Sequence, residues 1–262
     1  MKNRLSWLQG ILLLVVVAVL AAMAFKPMAA AKRKAVIVEL FTSEGCSSCP
    51  PADELLSRIG HKSSANGAEV LPLGFHVDYW DHQGWRDRFS SHAYTERQQS
   101  YSMKFRLEGP YTPQMVVDGQ TQFVGNDSGY AENAIVQAAA RQQEADVQLT
   151  WTAPDKLLVR VTDANSKSPA EVRLAITEDN LSSNVARGEN EGRVLRHSAV
   201  VRDFRLLGKL SNGEFQKEVT IKREKDWKVD DLHAVAFVQI IPDGAVEGAA
   251  SVRFASSLSA GN

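Results

Sequence analysis

The only two cysteines of the chain, Cys46 and Cys49, are separated by two residues and follow a short apolar run. Pro50 and Pro51 come next, and proline is favoured in the first turn of a helix. The positive end of a helix stabilises a thiolate, which is the form of cysteine that attacks a disulfide. We therefore predict thiol–disulfide exchange, in which an exposed Cys46 attacks a partner and Cys49, one turn inside the helix, resolves the mixed disulfide.

Two other interpretations of the cysteine pair stay open. A disulfide that closes so short a loop stabilises a fold by only about 2 kcal/mol, yet an exported protein can carry one as a structural link. Two thiolates with a histidine, His76 or His82, can instead hold copper(I), which prefers soft sulfur ligands. Zinc is disfavoured because it needs about four ligands and the chain has no second Cys-x-x-Cys. The leading interpretation requires no metal and no cofactor.

Composition bounds the class of protein. The chain has 262 residues, a formal net charge of −1, 44% hydrophobic residues and 23% charged residues. These values are typical of a globular protein with one large or two small domains, and the near-zero charge gives no footprint for nucleic acid. A Gly-x-Ser-x-Gly elbow and a Gly-rich phosphate loop are both missing from the sequence, so hydrolase and nucleotide-binding functions have little support.

Residues 1–31 have the pattern of an export signal. Lys2 and Arg4 precede an apolar stretch over residues 5–25, and small residues follow at possible cleavage positions near Ala24 or Ala31. An uncleaved anchor is the alternative, because the apolar stretch is close to the length that spans a bilayer. We predict a periplasmic or secreted protein, or one anchored to the membrane and facing the periplasm, whose partners are protein thiols or disulfides.

Hydrophobic periodicity divides the remainder into two predicted domains. Over residues 35–144 the pattern predicts the order β-α-β-α-β-β-α, with buried strands at residues 35–42 and 69–77 and a hairpin around Asp118-Gly119. The predicted helices cover residues 52–59, 87–105 and 128–144, with Ser128 as an N-cap. Over residues 146–255 short alternating strands predict a mainly antiparallel, sandwich-like β domain.

The first region resembles the thioredoxin superfamily. The likeness rests on the strand, Cys46-Ser47-Ser48-Cys49, the helix and the later stretch "YTPQMVVDGQTQFVG". It implies an α/β thioredoxin-like domain in which Pro113 is a cis-proline beside the cysteines and Thr112 with Pro113 contacts the substrate. It also implies a buried supporting acid, which would be Glu39 after a shift of one residue.

Four stretches together are similar to a bacterial secreted family of unknown function: "VELFTSEGCSSCPPADELL", "FHVDYWDHQGW", "YTPQMVVDG" and "GENEGRVLRHSAVVR". This second resemblance covers nearly all of the chain after residue 31. It implies an exported protein, with no substrate attached to the family. A secreted binding module without turnover is therefore an alternative function.

Two polar segments are candidate parts of the site. In "FHVDYWDHQGWRDRF" (residues 75–89), His76 and Asp78 are possible supporting residues and Asp81 is a second possible proton carrier. The alternative is a loop pinned by its tryptophans. In "GENEGRVLRHSAVVRDFR" (residues 188–205), three basic residues contact the first domain or an anionic ligand, unless the segment is a solvated loop. They are Arg193, Arg196 and His197.

Overall fold

A computed structural model describes residues 35–60, 67–164, 168–242 and 244–254. The predicted signal peptide or anchor at residues 1–31 lies outside these ranges. Within them, we find no helix that is both long enough and apolar enough to pass through a bilayer. The residues of these ranges cluster as one compact unit by their contacts. The predicted domain boundaries stay a prediction.

The elements of the first region follow the predicted order. Strand β1 is uniformly apolar apart from Glu39 and the final threonine, and it is buried along its whole length. The acceptor that caps the third helix is Asp127, whose side chain accepts the Tyr130 N–H, so the prediction of Ser128 as the N-cap is wrong. The elements are β1 (Ala35–Thr42), α1 (Pro50–Gly60), β2 (Glu69–His76), α2 (His92–Lys104), β3 (Gln114–Val117), β4 (Thr121–Val124) and α3 (Ser128–Ala140).

The later region is formed of strands apart from a single 3₁₀ turn at Val229–Asp231. Its strands alternate buried and exposed residues most clearly in β6, as the period-two pattern predicts. The strands are β5 (Asp146–Ala153), β6 (Lys156–Thr162), β7 (Ala170–Glu178), β8 (Leu181–Asn184), β9 (Val194–His197), β10 (Val200–Lys209), β11 (Phe215–Thr220), β12 (Leu232–Ile240) and β13 (Val246–Arg253).

The predicted fold class, a thioredoxin-like α/β domain followed by a separate antiparallel β domain, is wrong. Strands from both regions join in one mixed sheet of eight, in the order β13-β12-β7-β10-β2-β1-β3-β4. Only the β1–β2 and β2–β10 pairs are parallel within this sheet. A three-stranded sheet, β11-β6-β5, and the β8–β9 ribbon complete the strands of the described residues, and the fold is mainly β.

A close backbone contact joins the two regions. Gly74 on β2 pairs with Val200 on β10, and the Gly74 N–H donates to the Ala199 carbonyl at 2.7 Å. A Cβ on Gly74 would lie 3.3 Å from that carbonyl oxygen, which is tighter than most real contacts. Glycine therefore lets β10 approach β2, and strand periodicity does not reveal which strand will be its neighbour.

Both faces of the central strands are covered. Val36, Val38 and Leu40 on one face of β1 pack with α1 and α3. Ile37 and Phe41 on the other face pack with α2 and with strands of the later region. The three-stranded sheet covers β7 and β12 through a third apolar cluster. This arrangement holds the end of β1, and the cysteine loop after it, against residues from both halves of the chain.

Candidate functional site

The cysteines form a disulfide at the start of α1. Their Cα atoms are 5.4 Å apart, and the Cys49 carbonyl accepts the N–H groups of Ala52 and Asp53 at 2.9 and 3.1 Å. Cys49 thus directly precedes the helix, whereas the sequence predicted it one turn inside. Cys46 is 1% exposed and Cys49 is 0% exposed, so the predicted exposure of Cys46 is wrong.

Five buried ionisable residues surround the base of this loop, and we call them the buried charge cluster. His76 Nδ1 lies 2.6 Å from Asp87 Oδ2, and His197 Nε2 lies 3.2 Å from Glu44 Oε1. His197 Nδ1 is also 4.0 Å from Asp53 Oδ2, and the two imidazole rings meet edge to face at 4.9 Å. Each of the five residues is at most 8% exposed.

Three elements bring the cluster to the cysteines. Glu44 lies two residues before Cys46, and Asp53 lies four residues after Cys49, the spacing that puts two side chains on one helix face. His76 ends β2, which pairs in parallel with β1, so the strand ends meet at one edge of the sheet. His197 ends β9 in the later region. The cluster therefore exists only because the two halves of the chain share this edge.

The surroundings shift the pKa of four of these groups. Burial lowers the pKa of His76, but the charge of Asp87 and its hydrogen bond outweigh that effect and raise it to about 9. Burial raises the pKa of Asp87, but the charge and hydrogen bond of His76 outweigh burial, so the pKa lies below its usual value. For Glu44, burial is likewise opposed, chiefly by His197, and the pKa is lowered. Burial raises the pKa of Asp53, and the charges of His197 and His76 offset only part of this increase.

The directions of these shifts differ among the three carboxyl groups. The pKa values of Glu44 and Asp87 are lowered, whereas the pKa of Asp53 is raised. Buried charges in proteins need partners, because each unpaired one costs several kcal/mol. Each carboxyl group of the cluster faces a histidine, and Asp53 lies on the Cys49 side of α1.

Thr112 and Pro113 lie beside the cysteine loop, and the peptide bond between them is cis. Trp80 connects them to the loop, since its Nε1 donates to Thr112 Oγ1 at 2.9 Å and its Cβ lies next to Gly45. On the other side, a Cβ at Gly125 would lie 3.2 Å from Pro113 Cβ. The substrate-contact role of Thr112 and Pro113 stays a prediction.

Glu39 occupies a different environment from the one that the resemblance implies. Its two oxygens accept from Arg97 Nε and Nη2 at 2.5 and 2.9 Å, and the Tyr101 hydroxyl donates to it at 2.5 Å. Its neighbours Ile37 and Phe41 on β1 belong to the face that packs on α2, opposite to the face that packs on α1. Glu39 therefore belongs to a buried ion pair in the α2 layer.

In the segment of residues 75–89, the polar residues outside the buried charge cluster mainly support the loop. Asp78 accepts from Thr95 Oγ1 at 2.6 Å and lies 3.1 Å from His92 Nδ1, and these partners outweigh burial and lower its pKa. Asp81 accepts from the Ser90 hydroxyl at 2.7 Å. His82 is exposed. Among the residues that the structure describes, no three or more His, Cys, Asp or Glu side chains are placed to hold a metal ion, so the copper interpretation gains no support.

The loop between β8 and β9 is hydrogen-bonded to the backbone of the cysteine loop. Asn190 Nδ2 donates to the carbonyls of Glu44 and Cys46 at 2.9 and 3.0 Å. The Glu189 carboxylate accepts the Ser47 N–H at 2.9 Å. The segment predicted to contact the first region thus does so, although Glu189 and Asn190 make the closest contacts.

The three basic residues of this segment have different positions. His197 belongs to the buried charge cluster, Arg193 donates to Asn190 Oδ1 at 2.8 Å, and Arg196 is exposed.

Sequence reasoning missed five residues of this site, namely Glu44, Asp53, Asp87, Glu189 and Asn190. Asp53 had a signal in its spacing from Cys49, since a charged residue four positions after a helix-start cysteine shares its face. Asp87, Glu189 and Asn190 lie in the two polar segments that the sequence analysis singled out, but nothing in those segments distinguishes them from their neighbours. Glu44 had no signal, because its partners Asp87 and His197 are 43 and 153 positions away in the chain.

Comparison with known protein families identifies the family of this chain. One family model matches residues 37–239. The chain belongs to the family described as Protein of unknown function (DUF1223). The match extends from β1 to β12 and so includes every element that forms the site. No curated protein matches the chain.

The family fold is represented among solved structures. The crystal structure of protein AGR_C_4864 from Agrobacterium tumefaciens is 25% identical, covers 87% of this chain and 98% of its own, and superposes with a TM-score of 0.69. A domain of the outer membrane lipoprotein Omp28 from Porphyromonas gingivalis is 14% identical over 43% of this chain and 88% of its own, with a TM-score of 0.29. The second likeness is too weak to support an argument about fold.

Proposed function

We propose that the chain is an exported thiol–disulfide exchange protein that acts through Cys46 and Cys49. The observation that carries this proposal is the buried charge cluster beside the disulfide. Burying five ionisable groups is costly for a fold, and such groups with shifted pKa values gather at functional sites. Reduction of a disulfide to two thiols consumes two protons, and titratable groups close to this loop support a role in that proton exchange.

The exchange step uses the two sulfurs in turn. A thiolate of a partner dithiol attacks Cys46 Sγ, the Cys46–Cys49 bond breaks, and Cys49 leaves as a thiolate that takes up a proton. The second thiolate of the partner then attacks the partner's other sulfur, which is bonded to Cys46 in the mixed disulfide. This closes the partner's disulfide and releases Cys46, so that two electrons pass to this chain. The reverse sequence reduces a partner disulfide.

Titration of the full chain in glutathione buffers tests this proposal. We expect a reversible two-electron transition with a midpoint between about −120 and −270 mV, the range of exchange proteins. The Cys46→Ser variant is the control and should show no such transition. A pair that stays oxidised below about −300 mV is a structural disulfide, and that result contradicts the proposal. Fractionation of cells that express the full chain tests export separately.

A binding module with a structural disulfide is the second candidate, and the 1% exposure of Cys46 favours it. A disulfide that links the end of β1 to the start of α1 would then hold the loop on which the buried charge cluster rests. In this case the Cys46→Ser/Cys49→Ser double variant keeps its cellular function whenever it still folds. Loss of that function in a folded double variant contradicts the binding-module candidate.

A further inference from the structure

The loop of residues 185–193, which joins β8 to β9, is hydrogen-bonded to the backbone of the cysteine loop, and we call it the cover loop. Ser47 and Ser48 between the cysteines are exposed, whereas both cysteines are buried. A thiolate that attacks Cys46 must reach this buried sulfur.

We propose that the cover loop is a gate, whose opening controls access to the Cys46–Cys49 disulfide. This inference rests on the proposed exchange function and names the regulation of the same site. The gate is held shut by a polar latch of two side chains, Asn190 and Glu189. The partner that opens it is a protein surface that displaces these side chains and supplies its own groups to the cysteine loop.

Asn190 is the inner part of the latch. It is 1% exposed, and its amide donates to the carbonyls of Glu44 and Cys46 on either side of Gly45. Its own oxygen accepts from Arg193, which holds the amide in one orientation. One side chain from the later region therefore fixes the backbone that carries the attacking sulfur.

Glu189 is the outer part of the latch. It is exposed, and it accepts the Ser47 N–H from a direction that water also reaches. An exposed polar contact of this kind contributes little net free energy, so it closes the loop without locking it. The side chain of Ser47, and after it the Ser47 N–H, lower the pKa of Glu189 through hydrogen bonds to its carboxylate.

The cover loop is built to move as a unit. Its base is closed by Val185 N–H to the Arg193 carbonyl at 3.0 Å and Gly192 N–H to the Val185 carbonyl at 2.8 Å. Gly188 and Gly192, with φ of +82° and +76°, flank the two latch residues. A few residues of this kind absorb the backbone rotation of a hinge.

The rate of disulfide reduction tests the gate in the oxidised full chain. The reductant is tris(2-carboxyethyl)phosphine, which with one water converts the disulfide to two thiols and is itself oxidised to the phosphine oxide. The variants are Glu189→Ala and Asn190→Ala, and Glu191→Ala is the matched control. Glu191 is an exposed acid in the same loop, so its substitution makes the same change of charge without touching the latch.

Because each variant removes one or two hydrogen bonds from the closed state, we expect reduction about threefold faster for Glu189→Ala and about tenfold faster for Asn190→Ala. The control should react at the wild-type rate. Wild-type rates for both latch variants overturn the gate, and so does an equal acceleration by Glu191→Ala. Glu189→Ala changes only an exposed side chain, so it keeps the test valid if Asn190→Ala fails to fold.

The reduction rates test the gate independently of the exchange function. Reduction by the phosphine needs no reversible exchange, so the rates report on access even if the glutathione titration finds a structural disulfide. Failure of the titration with accelerated latch variants removes the exchange function and leaves a gated disulfide. A normal titration with unaccelerated variants removes the gate alone.

Discussion

The ion pair between His76 and Asp87 makes a quantitative prediction about stability and pH. His76 is 1% exposed, its Nδ1 lies 2.6 Å from Asp87 Oδ2, and its pKa is about 9 in the fold. An unfolded histidine has a pKa of about 6.5. The fold thus binds the proton more tightly, so this stabilisation is fully present below pH 6.5 and is lost as the pH rises through 9. At about 1.4 kcal/mol for each pH unit between the two values, the contribution is roughly 3 kcal/mol.

The measurement compares urea unfolding of the wild-type chain and of a His76→Asn variant at pH 6 and at pH 9.5, with the disulfide intact. Taking the difference between the two proteins removes the effect of other groups that titrate in this window. We expect the advantage of the wild-type protein to shrink by roughly 3 kcal/mol between the two pH values. His92→Asn is the matched control, because His92 is an exposed histidine that also faces an aspartate.

A wild-type advantage that stays constant between pH 6 and pH 9.5 would refute this reasoning. It would mean that the pKa of His76 is the same in the fold as in the unfolded chain, and that Asp87 is not the charge that holds its proton. The same result would remove the ion pair that we assign to His76 and Asp87.

Three further substitutions test other parts of the fold. Burial raises the pKa of Asp118 to about 7, so its ionisation costs stability as the pH rises from 4 to 7. Asp118→Asn should gain roughly 4 kcal/mol at pH 8 and almost nothing at pH 4, by urea unfolding. Arg97→Met leaves Glu39 buried without its cation and should lose about 3–5 kcal/mol, whereas a loss under 1 kcal/mol would contradict a buried ion pair. Gly74→Ala places a methyl group 3.3 Å from the Ala199 carbonyl and should lose about 1–2 kcal/mol, and an unchanged melting temperature would show that the strand junction tolerates a side chain.

Local elements were predictable because their signals are local. The run over β1 is apolar and β-branched, and its predicted bounds match the strand Ala35–Thr42. The Asp118-Gly119 turn also lies where the dipeptide predicts it, between β3 and β4. The helix α2 begins at His92, five residues later than predicted, because residues 87–91 form a loop around Asp87 and Asp81 instead of the first turns of the helix.

The sheet was not predictable because strand pairing is a tertiary choice. Periodicity shows which face of a strand is buried, but any strand with a buried face can pair with any other. The sequence reasoning kept the strands after residue 146 in a separate domain, whereas β10 inserts beside β2 at the narrow backbone of Gly74. The resemblance to thioredoxins covered only the first region, and so it carried no information about this insertion.

From the sequence alone came the cysteine spacing and the helix start after it, because each depends on neighbours within a few residues, whereas the proline loop came from the resemblance to thioredoxins. Tertiary structure alone decided the environment of the cysteine loop. His197 and Asn190 are more than 140 positions from the cysteines; His197 pairs with Glu44, and Asn190 donates to the carbonyls of Glu44 and Cys46. The reason is physical: a side chain acts through its distance in space, and folding, not chain position, sets the distances among Glu44, His197 and Cys46.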